Sequence, residues 1–270
     1  MARTPLDKKA IVGAAIMAGG ANVIMQLARP AVGYGVIESR VESGQLHRHP
    51  IKRTRTTLSY LSVAIMGADA DKAAYRKAVN RSHAQVRSTP ASPVAYNAFD
   101  PELQLWVAAC LYRGVEDAYR AFIGPITPDV QEPLYQSAAA LGTTLQVPAD
   151  AWPADRAAFE AYWTEAMKKV SIDEPVRRHL LGIAELDFLP LPIRLVFGRF
   201  NRFVTTGFLP PEFREHMRLP WSARDQRWFD RFIALNRVLA RLQPGPLRRF
   251  PFNFLLWDVR WRIRTGRRLV

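Results

Sequence analysis

Of the five histidines, His47, His49, His83, His179 and His216, only His83 falls on the apolar stripe of a clear helical pattern. Residues 71–87 carry that pattern, with Tyr75, Val79, His83 and Val86 spaced 4, 4 and 3 along one face. An imidazole set among apolar groups, with cations and hydroxyls nearby, is what a haem site needs. Two readings stand side by side. His83 is a core histidine bonded to a carbonyl, or it is an axial iron ligand whose other ring nitrogen is oriented by an acceptor.

Arg53 and Thr57 form an i, i+4 pair and share a helix face if the helix begins near His49-Pro50. The arginine fork suits a carboxylate such as a haem propionate, and the threonine hydroxyl can donate to a bound oxygen species or a carbonyl. The plainer alternative is a basic first turn with a capping hydroxyl, although a cation at the positive end of a helix is unfavourable. His47 and His49 are two residues apart, cannot share a helix face, and read as a solvated loop.

The elements that must position these groups read as helix, short turn, helix. Asp100 is placed to cap a helix with Pro101 in its first turn and Leu103, Trp106, Val107, Cys110 and Gly114 on one side. Thr127-Pro128-Asp129 starts another that stops near Gly142, and a further helix covers 154–169. Ser171-Ile172-Asp173-Glu174 resembles a capping box, and Ser222-Ala223-Arg224-Asp225 opens a long helix through Leu242. Residues 190–211 alternate between apolar and basic and fit no element cleanly. Strand signals are scarce, so the expected fold class is all-α, one multi-helix domain over 1–270.

Composition narrows the chemistry. The chain has 270 residues, 49% of them hydrophobic, and a net charge of +14, so an anionic partner is expected: nucleic acid, an acidic membrane surface or a propionate-bearing cofactor. The single cysteine, Cys110, excludes an internal disulfide and clusters held by several thiolates, and fits a reducing, cytoplasmic setting. No phosphate-binding glycine loop, zinc-protease helix or nucleophile elbow is present. The apolar N-terminal stretch 1–28 contains an uncharged run, Ala10–Ala28, behind Arg3, Lys8 and Lys9. Asn22, Gln26 and Gly19-Gly20 favour a buried helix broken at the glycines over a membrane span or a signal peptide. The basic, aromatic segment 246–270 suits core packing with outward arginines first, a membrane surface second and nucleic acid third.

Taken in order, Arg53-x-x-x-Thr57, His83-Ala84-x-Val86-Arg87, Tyr96-x-Ala98-x-Asp100-Pro101-Glu102 and Trp106-Val107 resemble the MpaB/latex-clearing-protein family of oxygenases. Gln26-x-x-x-Pro30 and Gly35-Val36-Ile37-Glu38 resemble its opening segment, and Leu191-Pro192-x-Arg194-x-x-Phe197-Gly198 a later one, so the resemblance spans about residues 20–245. It implies a globin-related all-α fold holding haem b, with His83 as the proximal iron ligand and Arg53 and Thr57 on the distal side. It further implies dioxygen as co-substrate and an apolar, isoprenoid or lipid-like substrate cleaved at a carbon–carbon double bond. Two positions depart from the rubber-cleaving pattern: Thr56 stands where those relatives carry a distal lysine, and Ala108 where many carry a histidine. A non-catalytic haem or lipid carrier at a membrane surface is the alternative expectation, and a nucleic-acid binder ranks below both.

Overall fold

The computed structural model describes residues 12–42 and 45–270, and every regular element among them is a helix. A 3-10 segment, Gly13–Ala18, leads into α1 (Gly19–Leu27), α2 (Pro30–Ile37), α3 (Pro50–Met66), α4 (Asp69–His83) and α5 (Pro101–Phe122). Then follow α6 (Pro128–Ala138), α7 (Ala140–Thr143), α8 (Arg156–Met167), α9 (Glu174–Ala184) and α10 (Leu191–Phe208). The chain continues through α11 (Pro211–Met217), α12 (Ala223–Leu242), α13 (Gly245–Arg248) and α14 (Phe252–Arg264). Among the described residues the only β pairing is an isolated antiparallel bridge between Arg87 and Asn97. The all-α class is therefore as the sequence implies.

Local chemistry sets the helix starts. Asp100 accepts hydrogen bonds from the backbone of Glu102 and Leu103, and Ser222 and Asp225 close a reciprocal capping box. Asp173, rather than Ser171, caps α9, because its carboxylate reaches the Val176 amide while Pro175 occupies the first turn. Helix α4 also stops earlier than the stripe suggests. It ends at His83, and the chain turns so that Ser88 and Ala98 donate to the carbonyls of Tyr96 and Val86. Backbone pairing with the 96–98 segment outcompetes another helical turn, and Val86 ends up against Tyr96 beside Gly35. Residues 190–211, opaque in sequence, form α10.

The apolar N-terminal run is a core element. Its first two residues and the preceding cations lie outside the described residues; in α1, Ala21, Ile24 and Met25 are buried. Asn22, which argued against a span, donates from its amide to the Cys110 carbonyl at 2.6 Å. The Gly19-Gly20 break has a packing reason at its second residue: a Cβ on Gly20 would meet Thr205 Oγ1 at 2.5 Å, so the bare α1 backbone makes room for the Thr205 side chain of α10. No helix of the described residues is long and apolar enough to cross a membrane.

Helix α5 is the hub. Trp106 is fully buried, stacks on Trp163 at 5.1 Å and donates from its indole to the Gln26 carbonyl at 3.0 Å. Further along, Tyr112, Tyr135, Trp152 and Phe159 form an aromatic box, with Tyr112 and Phe159 edge to face at 4.9 Å. Each such ring contributes about 2–3 kcal/mol relative to exposure. Helix α14 closes over α3 and α4: Leu256 and Val259 pack with Val63 and Tyr75, and Arg260 pairs with Asp71 at 2.9 Å. The inner half of the basic, aromatic C-terminal segment is thus core, while Phe250, Phe254 and Trp257 face outward.

Candidate functional site

Between α2, α3, α4, α5, α7 and the 86–98 loop lies a cavity in which about 280 Å³ is open to the centres of water molecules. Leu61, Val79, Leu103, Val107, Leu111 and Leu145 give it apolar walls. Arg53, Thr57, Tyr60, His83, Gln104 and Gln146 supply its polar groups.

Helix α3 delivers three of these groups by periodicity. Pro50 opens it after His49, and positions 53, 57 and 60 then follow one face into the cavity. Thr56 also lines the cavity, but its hydroxyl donates to the Lys52 carbonyl of its own helix at 2.8 Å, leaving no polar group to reach inward. Its carbonyl accepts the Tyr75 hydroxyl at 2.6 Å, and the Tyr60 hydroxyl donates to the Leu141 carbonyl. These two bonds fix α3 against α4 and α7, and with them the place of Arg53 and Thr57.

His83 is the last residue of α4, and Phe99 stands edge-on to its ring at 6.2 Å. Its Nδ1 is buried and has no hydrogen-bond partner among the described residues. Burial lowers its pKa below the ordinary 6.5; the neighbouring Gln146 amide opposes this, and the charge of Arg53 reinforces it. A helix C-terminus by itself favours the imidazolium, so desolvation is the stronger effect here.

Arg53 is the complementary oddity. It has no carboxylate within ion-pairing distance among the described residues, and burial lowers its pKa. A guanidinium stays protonated even so. Arg53 is partly exposed and lines the cavity, so the pocket holds a guanidinium without a carboxylate partner together with the His83 ring. The Gln104 and Gln146 side-chain oxygens are likewise buried without partners. One imidazole cannot hold a bare metal ion, and no group of three or more metal-ligating side chains occurs among the described residues. A porphyrin brings four nitrogen ligands of its own and needs only an axial donor and a partner for its carboxylates. This donor set fits that group.

The other resemblance-bearing residues build the frame. Glu38 accepts hydrogen bonds from the Tyr96 hydroxyl and the Ser92 hydroxyl, both at 2.7 Å, and these bonds hold its pKa down. The 86–98 loop is thereby tied to α2. Glu102 pairs with Arg29 at 2.5 Å and Lys169 at 2.7 Å, anchoring the start of α5. Ala108 is buried beside Gly142, where an added Cβ would already lie 3.0 Å from it.

Tyr60 was legible in principle, since it continues the 53, 57 spacing. Gln146 and Val270 were not: they reach the cavity from a loop and from the chain's last residue, with no local pattern. Of the remaining histidines, His47 is exposed with its ring 5.3 Å from that of His179, and His49 lies 3.8 Å from Glu42. A wider depression of about 820 Å³, lined by Lys72, Arg76, Lys77 and Arg81, is an open surface groove without an apolar interior.

A family model described as ER-bound oxygenase mpaB/B'/Rubber oxygenase, catalytic domain, matches residues 10–238. The chain is 54% identical over 250 residues to Uncharacterized protein Mb2261 of Mycobacterium bovis, covering 93% of this chain and 98% of that protein. It is equally similar to Uncharacterized protein Rv2237 of Mycobacterium tuberculosis, with the same identity and coverage. No solved structure matches it.

Proposed function

The chain belongs to the mpaB and rubber oxygenase catalytic-domain family, and from that premise we propose that it is a haem b-dependent oxygenase acting on an apolar, isoprenoid or lipid-like substrate. One observation carries the haem: the His83 imidazole and an Arg53 guanidinium with no carboxylate partner among the described residues share a cavity with apolar walls. His83 would hold the iron. Arg53 would pair with a propionate or steady a negatively charged oxygen, and Thr57 would donate a hydroxyl on the same side. Haem b, when bound, supplies the oxidising chemistry on dioxygen that no side chain here provides.

The proposed reaction is oxidative cleavage of a carbon–carbon double bond. One dioxygen is consumed, and each former alkene carbon leaves as a carbonyl. The protein's share is to bind the chain in apolar walls, orient the double bond and exclude water. Thr56, its hydroxyl engaged by its own helix, offers no amine to the distal side, so capping of the iron by a lysine there is not part of this reading.

The test is an absorption spectrum after haem supplementation. Wild type should show a Soret band that His83→Ala loses while far-ultraviolet dichroism stays helical. Absence of the band in wild type rejects haem binding. Consumption of dioxygen by the ferrous protein separates an oxygenase from a haem carrier.

A further inference from the structure

Two long stretches, 188–211 and 231–257, contain eight arginines and no aspartate or glutamate. Both expose large apolar side chains. The first half of α10 stands clear of the core, with Leu195 69% and Val196 68% exposed and Phe197 and Phe200 half exposed. Its second half, through Val204 and Phe208, is packed inward, and in the first half only Gly198 is buried. The second half of α12 has a core stripe ending at Ala240 and a separate outward stripe of Leu235, Val238, Leu239 and Leu242, at 3, 4 and 7 residues from the first. Phe250, Phe254 and Trp257 extend the outward apolar surface along the chain. The rings of Phe200 and Phe232 meet edge to face at 5.4 Å and join the two stretches.

So much exposed apolar surface is unusual for a chain that meets only water. Its charges say what it meets. Arg194 and Arg202 are paired with Asp187 and Glu185, but Arg199 and Arg231 have no carboxylate partner among the described residues. A second copy of the same face would set the unpaired Arg199 and Arg231 against arginines, because the acids beside them, Asp187 and Glu185, are already engaged, which disfavours a self-complementary contact. We propose that this face docks on an anionic lipid bilayer, with the leucines and aromatics entering the interface and the arginines pairing with phosphates. The contact is monotopic, because no described helix can span. It does not depend on the haem reading, since none of these residues lines the cavity.

Flotation of the full chain with phosphatidylcholine vesicles, and with vesicles that also contain phosphatidylglycerol, tests this. Binding should be selective for the anionic vesicles, weaken with added salt, and shift tryptophan emission to the blue through Trp228 and Trp257, both more than half exposed. Leu195→Gln with Phe197→Gln, and separately Leu235→Gln with Leu239→Gln, should each cut vesicle binding at least about tenfold. All four positions are exposed, so helicity and the thermal midpoint should hold. Failure of wild type to float overturns the proposal. So does a concentration-dependent dimer that these substitutions convert to monomer, which would assign the face to a second copy.

Discussion

Arg53 and His83 line one cavity from two different helices, and the guanidinium adds to burial in lowering the pKa of the imidazole. The pairing is unfavourable in two ways. A partly buried cation without an anion has given up hydration without compensation, and a buried imidazole nitrogen without a partner has lost a hydrogen bond. Such a constellation makes sense if something else completes it. A carboxylate-bearing ligand with a metal centre completes both halves at once.

This gives a prediction in which stability and function move in opposite directions. Arg53→Met keeps much of the side chain's length and removes the uncompensated charge. The unliganded protein should gain about 1–2 kcal/mol in urea unfolding, while affinity for haem falls. Loss of stability with unchanged haem affinity would mean that Arg53 serves the fold instead.

The buried network on α5 behaves differently, because it is complete. Glu116 is fully buried and is approached by Arg113 at 2.9 Å, Arg156 at 3.2 Å and Arg120 at 3.3 Å. Arg113 also stacks over Phe159 and Trp163, so the charges brace the aromatic box. Glu116→Ala should cost about 3 kcal/mol, the lower end for breaking a buried pair, since Glu160 remains to share Arg113 and Arg156. Chemical denaturation measures this directly; a cost under about 1 kcal/mol would show that Glu160 suffices alone.

How much of this was written in the sequence differs by element. Helix starts were legible because a cap is a local device: Asp100 and Ser222 act on amides two or three residues away. Two of the three stripe residues within α4, Tyr75 and Val79, are buried, and all three line the cavity, since periodicity alone decides which side of a helix faces inward. Its end at His83 was not legible. It depends on pairing with Tyr96 and Ala98, which only the folded chain brings near. The same holds for the proximity of Gln146 and the absence of any acid near Arg53. A missing partner is a property of three dimensions. The inward and outward split of α14 followed from composition only in outline, because alternating arginines and aromatics fit core and membrane alike.

Asp117 provides a pH signature separate from the haem question. It sits on α5 in a groove with Phe208, Phe229 and Ile233, and burial pushes its pKa from 3.8 up to about 6, with Glu116 adding to the rise and Arg120 opposing it. The folded form therefore binds this proton more tightly than the unfolded form. Its contribution is most favourable at acid pH, declines as pH rises through the interval from about 4 to about 6, and is unfavourable and constant above it. Asp117→Asn, which cannot ionise, should raise stability at about pH 8 by roughly 2 kcal/mol, after allowing for water in the groove, and should change it little below about pH 4. Thermal midpoints of both proteins across that range decide the matter: the curves should diverge as pH rises, and parallel curves would show that Asp117 ionises in the fold as freely as in the unfolded chain.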